Sequence, residues 1–364
     1  MADVRKLRIN KTDVQKDRYS YRATVKFTYT GPMPLSVDAV KLLCANLLSA
    51  TVDGVEFPGG SSRESVRVQI GSQRLIVTHR KNINRAKLES AALRILNQHS
   101  APVPHLIAYR DNYLIQQDVG LHRLSQSMKS GNSTEILVLL EAALASLQAV
   151  HEAGRNSAAL LPLITLGNTP GWLEKFVKSA ARLGTALELE APVLDYDRLA
   201  ALLTVEQPRF IKWDARPGNA VVRENGSVFW IDWEHCGRRH PLDDVAWLLT
   251  DEYTPWLPST DFQMISRIVP AFANDCSHTQ AHEYLRVFGT FHSCIRLDMI
   301  MRHQAKDGWW DYEKCLQFDR IGVVQELAIR VAARAANWAQ YSPLTRSLTP
   351  WLHAIQNKLE KADS

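Results

Sequence analysis

The sequence predicts an α+β protein in two lobes, a small antiparallel sheet with one helix followed by a larger and mostly helical part. Three observations carry this. Val52 to Thr78 reads as three short strands broken by Gly59-Gly60-Ser61-Ser62 and Gly71-Ser72, the pattern of an antiparallel meander. Arg85 to Gln98 then places Leu88, Ala92, Leu93 and Leu96 on one side at helical spacing. Beyond Gly120 helical periodicity dominates almost to Ser364, interrupted by one β-rich island from Arg209 to Asp232.

In chain order, Tyr19, Tyr21, Ala23, Val25, Phe27 and Tyr29 alternate with Arg22, Thr24, Lys26 and Thr28, which predicts a half-buried strand over 18–30. Gly31-Pro32 breaks it. Val37, Val40, Leu43 and Leu47 then recur at helical spacing over 35–50, with Ser36 as the N-cap. After the meander and its helix, Pro102 to Ile115 supplies two further short strands. Residues 1–34 are therefore read as an extension, 35–120 as the first lobe and 121–364 as the second. Within the second lobe, helices are expected at Ser133 to Ala153, Gly171 to Leu189 and Tyr196 to Leu203.

With 364 residues, 46% hydrophobic and 22% charged, the chain can bury a core in each lobe, which excludes disordered and fibrous classes. The net charge of +5 is modest, and the basic residues are scattered, so neither a nucleic acid nor a membrane is an implied partner. Five cysteines without a C-x-x-C pair read as reduced, mostly buried thiols. The N-terminus lacks the apolar run of a signal peptide, and the apolar stretch Ile136 to Val150 is interrupted by Glu141. A soluble, cytoplasmic protein is expected.

The island holds the chemistry. An apolar strand ends in Lys212-Trp213-Asp214, a Pro217-Gly218 loop leads to Asn219, and a hairpin with an Asn225-Gly226 turn returns the chain to Asp232. Phosphoryl transfer needs such a set: a carboxylate near an acceptor hydroxyl, and oxygen ligands that hold magnesium against nucleotide phosphates. The D-x-x-x-x-N spacing of Asp214 and Asn219 is that of a kinase catalytic loop, and Asp232 follows a hydrophobic strand as the kinase magnesium aspartate does.

Over these residues the chain resembles the aminoglycoside phosphotransferase and choline kinase family, of protein-kinase-like fold. IKWDARPGNAVV and VFWIDWEHCGRRHPLDDVAWLL are similar to its H-G-D-x-x-x-x-N and I-D-W-E…P-x-x-D-L-A motifs, and a looser match runs from Leu35 to Asn337. The resemblance implies an ATP- and Mg2+-dependent phosphotransferase, with GTP as the alternative nucleotide, acting on a small hydroxylated metabolite. It implies Asp214 as the base, Asn219 and Asp232 as metal ligands, and Asp244 as a buried organiser of the catalytic loop.

Nucleotide contacts are expected in the first lobe. Gly59, Gly60, Ser61 and Ser62 stand where backbone N–H groups would approach phosphates. Glu89 stands where the family pairs a glutamate with a strand lysine, and Gln117 to Val119 form the connection expected to bond the adenine edge. That lysine is missing. Strand alternation puts Leu75, Val77 and His79 on one face and Ile76, Thr78 and Arg80 on the other, so register decides between His79 and Arg80. The permanent charge of Arg80 favours it.

A second departure places Lys212 where the family has histidine. Its amine is read either as a catalytic-site contact to a phosphate or a substrate acid group, or as a side chain extending to solvent. For the acceptor, Trp309, Trp310 and Asp311 in a Gly-interrupted aromatic loop are the expected contacts, with Glu234 beside them. From Asp251 to Ser364 thirteen acidic residues stand against twelve Lys and Arg, which gives a polycation no special support. The two departures leave a competing reading, a pseudokinase that binds nucleotide or a partner without transfer.

Overall fold

The apolar faces of the meander determine how the first lobe is built. In the computed structural model, which describes residues 35–60, 63–156 and 163–361, β1 (Gly54–Glu56), β2 (Ser65–Ile70) and β3 (Gln73–His79) pair antiparallel. Val66 faces Val77 and Val68 faces Leu75 across the β2–β3 pair, and all four are buried. They pack beneath α1 (Val37–Leu48) with Val40, Cys44 and Ile115. Ser36 caps α1 as expected, its hydroxyl accepting from the Ala39 N–H at 3.3 Å. The strand expected over 18–30, together with Ser61 and Ser62, lies outside the described residues.

The opposite face of the sheet meets α2 (Ile83–Gln98), whose Ala86, Ala92, Leu93 and Leu96 are buried. β4 (Leu106–Arg110) and β5 (Tyr113–Gln117) complete the sheet in the order β1-β2-β3-β5-β4. The α2 face is continuous with the core of the second lobe, whereas the α1 face has a core of its own. One side of the small sheet is thus rooted in the larger lobe.

The second lobe begins with β6 (His122–Arg123), α3 (Leu124–Lys129) and α4 (Ser133–Asn156). α4 is long and apolar enough to cross a bilayer. Here its Ile136, Leu140, Ala143, Leu144, Leu147 and Val150 are core. The helical pattern of residues 171–189 divides at Lys178 into α5 (Trp172–Val177) and α6 (Ser179–Leu187), and α7 (Tyr196–Leu203) follows as expected. The divided pair lets α5 pack on α7 while α6 packs on a later helix.

The island folds as β7 (Arg209–Ile211), a single 3-10 turn over Pro217–Asn219, β8 (Ala220–Val222), β9 (Val228–Trp230) and β10 (Gly237–Arg239). Gly226 takes φ 78° at the β8–β9 turn, a left-handed position that suits glycine. β6 adds to β8, and β10 pairs with β7. Six helices complete the chain: α8 (Pro241–Thr250), α9 (Pro258–Phe272), α10 (His278–Asp307), α11 (Tyr312–Gln317), α12 (Gln325–Ala339) and α13 (Leu348–Lys361). α10 packs against α6, α8 and α12, which backs the island with helices. Four cysteines are buried, Cys276 is exposed, and all five are free.

Candidate active site

Asp244, in the first turn of α8, shapes the loop that follows β7. Its buried carboxylate accepts the backbone N–H groups of Lys212 at 2.7 Å and Trp213 at 2.8 Å, and His151 Nε2 of α4 lies 2.7 Å from it. These bonds hold a strained turn: Trp213 has φ 52° and Asp214 φ 65°, left-handed values that cost a non-glycine residue about 1 kcal/mol or more each. The strain turns the Asp214 carboxylate toward Asn219, whose Nδ2 donates to it at 2.9 Å and to the Asp214 carbonyl at 3.0 Å. Asp232 shares the left-handed conformation at φ 63°. Asp214, Asn219 and Asp232, spread over nineteen positions, therefore stand on two strained turns of one island.

Burial pushes the Asp214 carboxyl above its ordinary value, against the opposing charges of Arg216 and Lys212. Such a carboxylate is a stronger base than an exposed aspartate.

Arg80 forms the second half of the site. At the end of β3 it lies on the α2 face, where it meets Glu89 in a two-pronged pair at 2.6 and 3.0 Å. The same guanidinium reaches Asp232 at 2.7 Å and Glu234 at 3.1 Å. Burial works against its charge, but Glu89, then Asp232 and Glu234, outweigh that penalty and keep it protonated. His79 points to the other face, tilted at 49° against Tyr113 with ring centroids 4.7 Å apart, and burial lowers its pKa. The pairing of Arg80 with Glu89 follows from strand alternation once α2 covers that face.

Gly59 and Gly60 form the turn between β1 and β2, with Gly60 at φ 86° and its N–H bonded to the Phe57 carbonyl at 2.9 Å. In the connection after β5, the Gln117 N–H bonds the His105 carbonyl at 2.8 Å and Val119 is buried. Arg67 of β2 holds Asp118 there at 2.6 Å.

Other expectations are corrected. Lys212 does not extend to solvent: it is fully buried, its amine donates to the Asp232 carbonyl at 2.8 Å, and it lies over the Trp233 ring. Its charge is held beneath the loop, so it positions Asp232 rather than touching a ligand. Glu234 belongs to the Arg80 cluster and also pairs with Arg85 at 3.2 Å, so both its oxygens are engaged by arginines. Trp309 and Trp310 are half-buried against the main core, and Asp311 caps α11 by accepting the Lys314 N–H at 2.8 Å.

Sequence reasoning missed Arg216, Arg123 and Asp319. Arg216 Nη2 lies 2.6 Å from Asp319 and its Nε 3.6 Å from Asp251, while Arg123 Nη1 lies 3.1 Å from Asp319. The position of Arg216 two residues after Asp214 is a signal that could have been read. Asp319, 103 positions away, offered none.

Among the described residues no group of three or more His, Cys, Asp or Glu could hold a metal by itself. A magnesium ion shared with phosphates needs only one or two protein oxygens. Asp232, and Asn219 through the oxygen left when its amide nitrogen faces Asp214, fit that demand.

The family described as Phosphotransferase enzyme family matches residues 53–268, more than half of the chain. No curated protein sequence matches. Among solved structures, the choline kinase LicA from Streptococcus pneumoniae is 15% identical, covers 82% of this chain and 98% of its own, and has TM-score 0.50. Amicoumacin kinase hAmiN, in complex with AMP-PNP, Ca2+ and Ami, is 12% identical over 81% of this chain and 93% of its own, TM-score 0.52. The GDP complex of an aminoglycoside 2'-phosphotransferase-IIIa mutant is 14% identical over 85% of this chain and 100% of its own, TM-score 0.52. At these identities the three establish a shared protein-kinase-like fold.

Replacing Asp244 by alanine strands two buried N–H groups and the His151 ring, each worth about 1–3 kcal/mol when left unpaired. Urea unfolding of Asp244→Ala should therefore show a loss of about 3 kcal/mol or more. A loss below about 1 kcal/mol would mean that the loop holds its strained turn without the carboxylate.

Proposed function

Because this chain belongs to the phosphotransferase enzyme family, we propose that it transfers the terminal phosphoryl group of ATP, with GTP as the alternative, to a hydroxyl of a small molecule, using Asp214 as base. The observation that carries this reading is the Asp214 carboxylate itself, held at a strained left-handed turn by Asn219 beside Asp232. Asp214 would take the proton of the acceptor hydroxyl as its oxygen attacks phosphorus. Asn219 keeps that carboxylate oriented, and Lys212 and Arg80 fix Asp232 from its carbonyl and carboxylate sides.

Asn219 and Asp232 would hold Mg2+, which when bound neutralises phosphate charge and keeps the reacting groups in line. Arg80, oriented by Glu89, would face the phosphates, and the backbone at Gly59 and Gly60 would close over them. The connection from Gln117 to Val119 would bond the base edge of the nucleotide. The AMP-PNP and GDP complexes of the two structural relatives support nucleotide use here. We place the activity in the cytoplasm, in keeping with the composition.

Asp214→Asn should lower kcat by about 10²–10⁴-fold while leaving nucleotide affinity nearly intact, since the base contacts the acceptor and not the nucleotide. In the unaltered protein the acid limb of the pH–rate profile should lie above the ordinary aspartate range, because a raised pKa protonates the base at higher pH. Wild-type turnover by Asp214→Asn would overturn the assignment.

Nucleotide affinity should be flat between about pH 6 and 8, because Arg80, held charged by Glu89, Asp232 and Glu234, makes the phosphate contact and His79 lies on the other face of the strand. A steep fall across that range that disappears in His79→Gln would transfer the phosphate contact to the histidine.

The acceptor should be a neutral or weakly charged hydroxylated metabolite, because the positive charges of Arg216 and Lys212 act on Asp214 and the region from Asp251 onward is close to charge balance. In a coupled ATPase assay kanamycin should give no stimulation. Stimulation by micromolar kanamycin, with none by neutral sugars or nucleosides, would refute this acceptor class.

A further inference from the structure

Asp319 follows α11 and sits at the mouth of the catalytic loop. Its two carboxylate oxygens are divided between two arginines, Oδ1 at 2.6 Å from Arg216 and Oδ2 at 3.1 Å from Arg123. Arg123 also donates to the Gly218 carbonyl. A Cβ on Gly218 would stand 1.9 Å from Asp319 Oδ1, so the loop is glycine where the carboxylate rests on it. Two arginines over a glycine backbone make a cradle for one anionic group.

The occupant is held by these contacts and not by its own backbone preference. Asp319 has φ 47°, a left-handed conformation available to aspartate at a cost. Its carbonyl and that of Phe318 both accept Arg63, which follows the Gly59–Gly60 turn. The trio is also open to water: the side chains of Arg123, Arg216 and Asp319 are 31%, 13% and 11% exposed. The structural pair Arg296–Glu252 is 6% and 0% exposed, sealed in the core. The Asp319 trio is therefore more accessible to a solute than that pair.

Withdrawing Asp319 would take from Arg123 the carboxylate at 3.1 Å and leave Arg216 with Asp251 at 3.6 Å, with the charges of Asp214 and Glu252 acting on it as well. The Arg80 cluster draws on a separate set of partners, Glu89, Asp232 and Glu234, so the cradle stands apart from the groups assigned to nucleotide and metal. We propose that Arg123 and Arg216, over Gly218, bind one anionic group of the acceptor, a carboxylate or a phosphate, and that Asp319 occupies this position until the acceptor arrives. The acceptor class is then a hydroxylated acid or phosphate ester with a single anionic group. This rests on the reading of Asp214 as the base.

Inorganic phosphate is the probe, titrated by calorimetry into the full chain in EDTA, so that the readout does not depend on turnover. Asp319→Ala and Asp319→Asn should each bind phosphate at least about tenfold tighter than the unaltered protein. The gain should vanish when Arg123→Gln is added and persist when Asp214→Asn is added, which separates this site from the assignment of the base. Phosphate should still bind in the presence of saturating AMP-PNP. Equal or weaker binding by both Asp319 variants, or a gain that survives Arg123→Gln, would overturn the proposal. Displacement of phosphate by AMP-PNP would overturn it too, since the arginines would then serve the nucleotide.

Discussion

One buried guanidinium joins the two lobes at the site. Arg80 leaves β3, pairs with Glu89 of α2, and reaches Asp232 and Glu234 on the island. Desolvating a cation is costly, and three carboxylates repay that cost only if their geometry is kept. The planar fork of arginine suits this better than a lysine amine, because it can meet Glu89 with two N–H groups and still present others to the second lobe. The position of the Asp232 carboxylate thus depends on a residue 152 positions earlier in the chain.

Charge is gathered at both ends of the catalytic loop. Arg80 and Arg85 stand against Glu89, Asp232 and Glu234, and the buried Lys212 amine on the Asp232 carbonyl adds a third positive charge. Arg123 and Arg216 share Asp319, with Asp251 at 3.6 Å from Arg216. The island therefore carries two separate charge clusters, with Asp214 on the loop between them.

Strain is concentrated in the same place. Trp213, Asp214, Asp232 and Asp319 all hold left-handed backbone conformations without being glycine. Each is tied down: Trp213 by Asp244, Asp214 by Asn219, Asp232 by Arg80 and Lys212, Asp319 by two arginines. Lys212 shows the economy of this arrangement. A buried amine over Trp233 supports the Asp232 backbone, a role that its position two residues before the base does not suggest.

The sequence by itself determined the meander, the helix after it, the capped first helix and the island with its two aspartates and asparagine, because these rest on local periodicity and turn chemistry. It also narrowed the strand cation to His79 or Arg80, since alternation places neighbours on opposite faces. Only the tertiary structure decided between them, by laying α2 and Glu89 against the face that carries Arg80. The same holds for Lys212, whose burial depends on Asp232 folding over it, and for Trp309, Trp310 and Asp311, which the helix packing turns toward the core and a helix cap. The grip of Arg123 and Arg216 on Asp319 spans contacts 103 or more positions apart, and no local pattern encodes which distant charge a flexible side chain will meet. That pairing is set by where the packed helices bring the chain back to the catalytic loop.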